Sequence, residues 1–270
     1  MKFKLFPILA LLLAVSCSKD KSGESGVQVK LALPCPATKV ALGEEDAGVF
    51  PLVWEVGDRV SLNGTLSNSM SAGLAGKSHA AFSFADFSGS TPYNLLYPGA
   101  ADAKVTIDGK TLPLYATGAS LDQVFTMHHL CCGVRISLTG DLSLALLTLS
   151  APADEPIAGT FTPSFDDGSL AEVSAQSTLS MALGTPIVLS DTPQTFCLFF
   201  APGTFSQGLS LQAQNAEGTI TREWRFALGR TLEKGKLYLL PETAFTSRDW
   251  ADGCLVSLEE MREDTISFEL

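Results

Sequence analysis

The sequence predicts an all-β chain built as two tandem β-sandwich domains. Three observations predict it. Short apolar runs with alternating pattern recur from Val27 to Leu240, with turn signals between them about every ten residues. No apolar stripe of helical period precedes the C-terminal tail. The runs number about fourteen, and a common sandwich takes seven to nine strands, so two sandwiches are expected.

The first segment stands outside that pattern. Lys2 and Lys4 give a basic start, Leu5 to Ser16 form an apolar run, and small residues Ala14 and Ser16 end it. The run is too short to span a bilayer, which takes about 20 apolar residues, so residues 1–16 read as an export signal. The stretch AVSC resembles the lipobox of bacterial lipoproteins, with Cys17 as the acylated residue and new N-terminus. The alternative is an ordinary signal peptide cut near Ser16, which leaves Cys17 a free or paired thiol. Residues 17–26, polar and Gly/Ser-rich, read as a flexible tether. A lipidated chain would hold a membrane through its acyl chains alone.

The strands follow in order. In VQVKLAL, Val27, Val29, Leu31 and Leu33 alternate with Gln28 and Lys30, the pattern of a half-buried strand. PCPATKVALGEEDAG then breaks the pattern with prolines and an acidic loop. LVWEVGDRVSLNG puts Trp54 and Val56 on one face and Val60 and Leu62 after a Gly57 turn. AAFSFADF and YNLLYPG follow. AKVTIDGKTLPL reads as a two-residue hairpin around Asp108-Gly109, a pair suited to a type I′ turn. HHLCCGVRISLTG alternates through Val134, Ile136 and Leu138, with His128 and Cys132 on the core side and His129 and Cys131 outward. Further short runs end in GKLYLLP. In the tail, LVSLEEMRED reads as a short helix, and Ile266, Phe268 and Leu270 alternate again. The division is residues 27–122, 123–246 and a tail of 247–270.

Composition bounds the function. The chain has 270 residues, 46% hydrophobic and 17% charged, with 16 Phe, 23 Gly and 14 Pro. A net charge of −11 repels phosphate backbones, which argues against a nucleic-acid partner. Six cysteines become five if Cys17 carries lipid, so a complete disulfide framework is not expected. No G-x-S-x-G, H-E-x-x-H, P-loop or C-x-x-C stands in the sequence. The HHLCC cluster offers two soft ligands per strand face where zinc needs three or four. FDDGSL reads as a turn and not a calcium loop. No catalytic, cofactor-binding or metal residue is assigned, and no cofactor is expected.

The ordered features resemble a family. An export signal with AVSC, an alternating first strand, ATK, WEVGDRVSL, YNLLYPG, MHHL with VRISL, GTFTPSFDDGSL, TFCLFFAPGTF and LEKGKLYLL occur in sequence. The chain is similar in this to the fimbrillin-like lipoproteins of Bacteroidetes, the subunits, anchors and tips of type V pili. The resemblance implies two transthyretin-like sandwiches and an outer-membrane lipoprotein at the cell surface or in a fimbria. It also implies assembly by strand exchange with other pilus subunits or with itself. A protease would cut after Lys39, removing the lipid and the strand carrying Val27, Val29, Leu31 and Leu33; another subunit's segment would fill the groove. Lys39 stands where an Arg is commoner. Ile266, Phe268 and Leu270 are the candidate donor strand, with pairing inside their own domain as the alternative. A host or bacterial surface ligand would be a further partner. The rival reading is a glycan-binding surface lipoprotein that uses Trp54 and Trp224.

Overall fold

The computed structural model describes residues 26–33, 41–42, 52–73, 75–247, 255–257 and 262–265. These residues are strands and connecting turns, with no α-helix among them. The first eleven strands are β1 (Val27–Ala32), β2 (Ala41–Leu42), β3 (Leu52–Val53), β4 (Ser61–Leu62), β5 (Thr65–Leu66), β6 (His79–Phe84), β7 (Tyr93–Tyr97), β8 (Val105–Ile107), β9 (Leu114–Gly118), β10 (Val124–Thr126) and β11 (His128–His129). Longer strands follow: β12 (Cys132–Gly140), β13 (Ser143–Ser150), β14 (Ala158–Pro163), β15 (Leu170–Gln176), β16 (Thr178–Val188), β17 (Gln194–Phe200), β18 (Gly203–Phe205), β19 (Leu209–Asn215) and β20 (Thr221–Phe226). The last are β21 (Arg230–Leu232), β22 (Lys236–Leu239), β23 (Thr243–Phe245), β24 (Leu255–Ser257) and β25 (Arg262–Thr265).

Two sheets organise the N-terminal part, in the orders β10-β1-β6 and β11-β9-β7-β4-β5. Their inward rows meet at Trp54, whose ring stands edge-on to Phe82 of β6 at 4.8 Å and to Tyr97 of β7 at 5.5 Å. The larger sheets of the C-terminal part run β17-β12-β22-β25, with β23 also on β12, and β16-β13-β19-β20-β24. Val134, Ile136 and Leu138 of β12 and Leu144, Leu147 and Leu149 of β13 are fully buried. In β13 the strict alternation slips because the register shifts between Leu144 and Leu146, a bulge that turns both Leu144 and Leu147 inward.

Four expectations are corrected. Asp108-Gly109 does not close a hairpin: β8 pairs with β14 across the chain, and Phe199 N donates to Gly109 O at 3.0 Å. Gly109 has φ +83°, and a Cβ there would collide with Leu179. The Asp108 side chain instead accepts from Lys110 N at 2.9 Å and Thr111 N at 2.8 Å, which redirects the chain toward β9. Val56 is not on the Trp54 face; it sits 64% exposed beside the Gly57 turn. In HHLCC, Cys132 is buried as expected, but His128 is exposed and His129 and Cys131 are buried. The reason is that β11 pairs with β9 and β12 pairs with β17, so the chain changes sheets between His129 and Cys132 and the period-two pattern breaks there. The helix expected at LVSLEEMRED is not formed by the described residues, which lie in β24 and β25 as added strands on β20 and β22.

β10 and β11 both hydrogen-bond to N-terminal strands, β1 and β9. The chain thus passes from the sheet of β9 to that of β17 between β11 and β12.

Candidate functional site: the first strand and its cradle

Strand β1 is central in a three-stranded sheet. It pairs antiparallel with β6 over six residues, Val27 opposite Phe84, Val29 opposite Phe82 and Leu31 opposite Ala80. On its other side it runs parallel to β10, with Leu31 opposite Phe125. Paired residues share a face, so the inward row is Val27, Val29 and Leu31 against Phe84, Phe82, Ala80 and Phe125. Val29 and Leu31 are fully buried, Leu33 is nearly so and Val27 is half-buried. Gln28 and Lys30 point out to solvent, as their alternation requires. Leu33 N donates to Ser78 O at 2.8 Å and Met127 N to Ala32 O at 2.9 Å, so the ladder continues past the strand end on both sides.

Among the described strands β6 and β10 have no ladder with each other; β1 alone joins them. Each of its fully buried side chains contributes about 1.5 to 3 kcal/mol through removal from water. Without β1, the cradle would be a slot with two unpaired edges and an open row of aromatic and aliphatic side chains.

The far wall of this cradle is fixed by the WEVGD segment. Asp58 is buried and accepts through Oδ1 from the Tyr97 hydroxyl at 3.0 Å and through Oδ2 from Glu55 N at 2.8 Å. Burial, then the Asp58 carboxylate beside it, pushes the Tyr97 phenol far above its usual range. The two segments that stand out in the sequence, Trp54 to Val60 and Tyr97-Pro98, are therefore one unit in space. The carboxylate and phenol are hydrogen-bonded to each other and both are buried.

The other residues weighed for chemistry fall into the core. Trp54 and Trp224 are fully buried, so neither ring is a platform for a sugar. Burial raises the Cys131 thiol well above its ordinary value, with Cys132 as a second cause; burial likewise raises Cys132, and pushes Cys197 up to about 11. Cys131, Cys132 and Cys197 are thiols without a disulfide. Among the described residues no group of three or more His, Cys, Asp or Glu side chains is placed to hold a metal ion. Asp166, Asp167 and Gly168 form the turn between β14 and β15, where Asp167 accepts from Ser169 N at 2.9 Å. Cys17, Lys39, Ile266, Phe268 and Leu270 lie outside the described residues.

No protein-family model and no curated protein matches the sequence. Solved structures do match the fold. A candidate cell adhesion protein from Bacteroides ovatus superposes with a TM-score of 0.50 at 14% identity, over 91% of this chain and 99% of that one. This chain has that protein's fold. A candidate cell adhesion protein from Bacteroides uniformis gives 0.46 at 14% identity, covering 90% and 99% of the two chains. The tip fimbrial protein Mfa3 of Porphyromonas gingivalis, with a C-terminal truncation, gives 0.35 at 8% identity over 80% and 95%.

Proposed function

We propose that the chain is a fimbrillin-like cell-surface lipoprotein, a non-catalytic structural or adhesive subunit assembled by β-strand exchange. The observation that carries this is the position of β1. Among the described strands it alone bridges β6 and β10, it carries a buried alternating row, and it lies ahead of Lys39 in the sequence. A strand so placed can leave with the segment before it, and its slot then selects a replacement strand. Main-chain hydrogen bonds would hold the newcomer and alternate apolar side chains would fill the places of Val29, Leu31 and Leu33. The fold shared with an adhesion protein of Bacteroides supports the reading. In it, Cys17 carries the lipid, Lys39 is the cleavage position and residues 27–122 and 123–246 form the two sandwiches.

The described part of the tail favours an internal role for β25, which pairs antiparallel with β22 from Lys236 opposite Thr265 to Leu239 opposite Arg262. The donor role stays with Ile266, Phe268 and Leu270. Trypsin-like digestion of the purified chain, followed by intact mass and native electrophoresis, tests the proposal. Cleavage at Lys39 should release Val27 to Leu33 and produce a ladder of oligomers, and Lys39→Gln should remain monomeric. Cleavage that yields neither release nor a ladder contradicts strand exchange in this protein.

A further inference from the structure

Away from β1, the turn between β4 and β5 builds a small cup with mixed polar and apolar walls. Asn63 and Gly64 supply its positive backbone angles, φ 45° and 83°. The Asn63 side chain is committed to structure: Nδ2 donates to Ser90 O at 2.9 Å and Pro92 O at 3.1 Å, and Oδ1 accepts from Asn94 N at 2.7 Å. These bonds tie the loop before β7 to the turn between β4 and β5, beside a cavity of about 250 Å³. Ser61, Ser90 and Asn94 give it polar walls, Leu96 an apolar floor, and Phe165 an aromatic side. Phe165 comes from the turn between β14 and β15, is half-buried, and is steadied edge-on by Tyr115 at 6.4 Å.

Two donors at the cup remain unused. Asn94 is half-buried; its Oδ1 accepts from Thr117 Oγ1 at 2.8 Å, and Nδ2 meets no acceptor among the described residues. Ser61, 2% exposed, accepts from Ala100 N at 3.3 Å, and its O–H has no acceptor among the described residues. The Ser61 hydroxyl is the buried one of the two, and a buried donor left unmade is costly, so an occupant that accepts its hydrogen bond is favoured. No charged side chain lines the cup, which disfavours an ion. The chain's charge of −11 further disfavours an anion. A wholly apolar occupant would leave the buried Ser61 donor unsatisfied. A pyranose meets all these conditions, with hydroxyls for Asn94 and Ser61 and a C–H face for the Phe165 ring. The volume is below the roughly 300 to 1,000 Å³ of drug-sized pockets and suits one ring.

We infer that this cup binds a single neutral monosaccharide unit. The inference does not depend on strand exchange, and the two can fail separately. The test is NMR titration of the full chain with methyl glycosides of glucose, galactose, mannose, fucose and N-acetylglucosamine, with sodium glucuronate as the charged control. At least one neutral glycoside should give saturable shifts at the Ser61, Asn63 and Asn94 amides. Its affinity should fall at least tenfold in Phe165→Ala and in Asn94→Ala, with amide spectra distant from the cup unchanged, and glucuronate should bind at least tenfold more weakly. Two variants guard against a folding defect in either. Absence of saturable shifts with every neutral glycoside overturns the inference, as does binding that survives in a folded variant or equal binding of glucuronate.

Discussion

Replacing Tyr97 with Phe isolates one interaction in the wall behind the first strand. Phe keeps the ring, and with it the edge-on contact to Trp54 at 5.5 Å and 84°. It removes only the hydroxyl that donates to Asp58 at 3.0 Å. Tyr97 is 2% exposed and Asp58 8%, so water cannot readily replace the lost donor. A hydrogen bond to a charged acceptor is worth about 1.5 to 3 kcal/mol, which sets the expected destabilisation at about 2 kcal/mol. For a chain of this size that is a fall of about 4 to 8 °C in Tm. Urea unfolding followed by tryptophan fluorescence and circular dichroism measures it, and a cycle with Asp58→Asn apportions the pair. The same bond has a pH signature. The fold keeps the Tyr97 proton, whereas the unfolded phenol ionises near pH 10. The stabilisation is therefore complete below about pH 10 and is lost above it at up to about 1.4 kcal/mol per pH unit. Tyr97→Phe should remove that part of the alkaline slope. A variant within about 0.5 kcal/mol of the parent, with the alkaline slope unchanged, would refute the lock between Asp58 and Tyr97.

Three further outcomes are expected. Cys131 and Cys132 hold their protons in the fold above the unfolded thiol value of about 8.5, so stability should fall between pH 9 and 10; Cys132→Ala should have a lower baseline and a shallower slope in pH-dependent urea titrations. Gly140→Ala should cost about 3 to 5 kcal/mol in chemical unfolding, because φ is +145° and the new Cβ would overlap the Phe245 carbonyl where β23 pairs with β12. Trp224→Ala should cost about 3 to 5 kcal/mol in the same assay, since the ring is fully buried; loss of a sugar interaction with stability unchanged would contradict its place in the core.

Strand content was legible where one residue pattern meets one sheet. Val29, Leu31 and Leu33 alternate because β1 has a single buried face, and the sequence shows that directly. Alternation misleads where the chain changes partners. His129, Leu130, Cys131 and Cys132 are all buried because the backbone passes between two sheets within those residues, and no period describes that passage. Asp108-Gly109 carries a good local hairpin signal, yet β8 finds a longer partner in β14, some fifty residues later in the chain. In LVSLEEMRED, helical spacing competes with open sheet edges, and the edges of β20 and β22 take the described residues. The functional geometry was legible only in part. The first strand stands out, but the Asp58–Tyr97 bond joins residues 39 apart, and the cup adds Phe165 from another part of the fold. Only tertiary structure brings such groups together.

Strand exchange is tested most directly by replacing β1 with a peptide. The chain is cut at Lys39 and mixed with excess fluorescent peptide of the sequence from Val27 to Leu33, or with the same peptide carrying an Asp at the Leu31 position. The account predicts uptake of one unmodified peptide per cut chain, competition between peptide uptake and oligomer growth, and at least a hundredfold weaker uptake of the Asp peptide, since a charge would enter the row against Ala80 and Phe125. A cut chain that keeps its own first strand, takes up neither peptide and stays monomeric contradicts it.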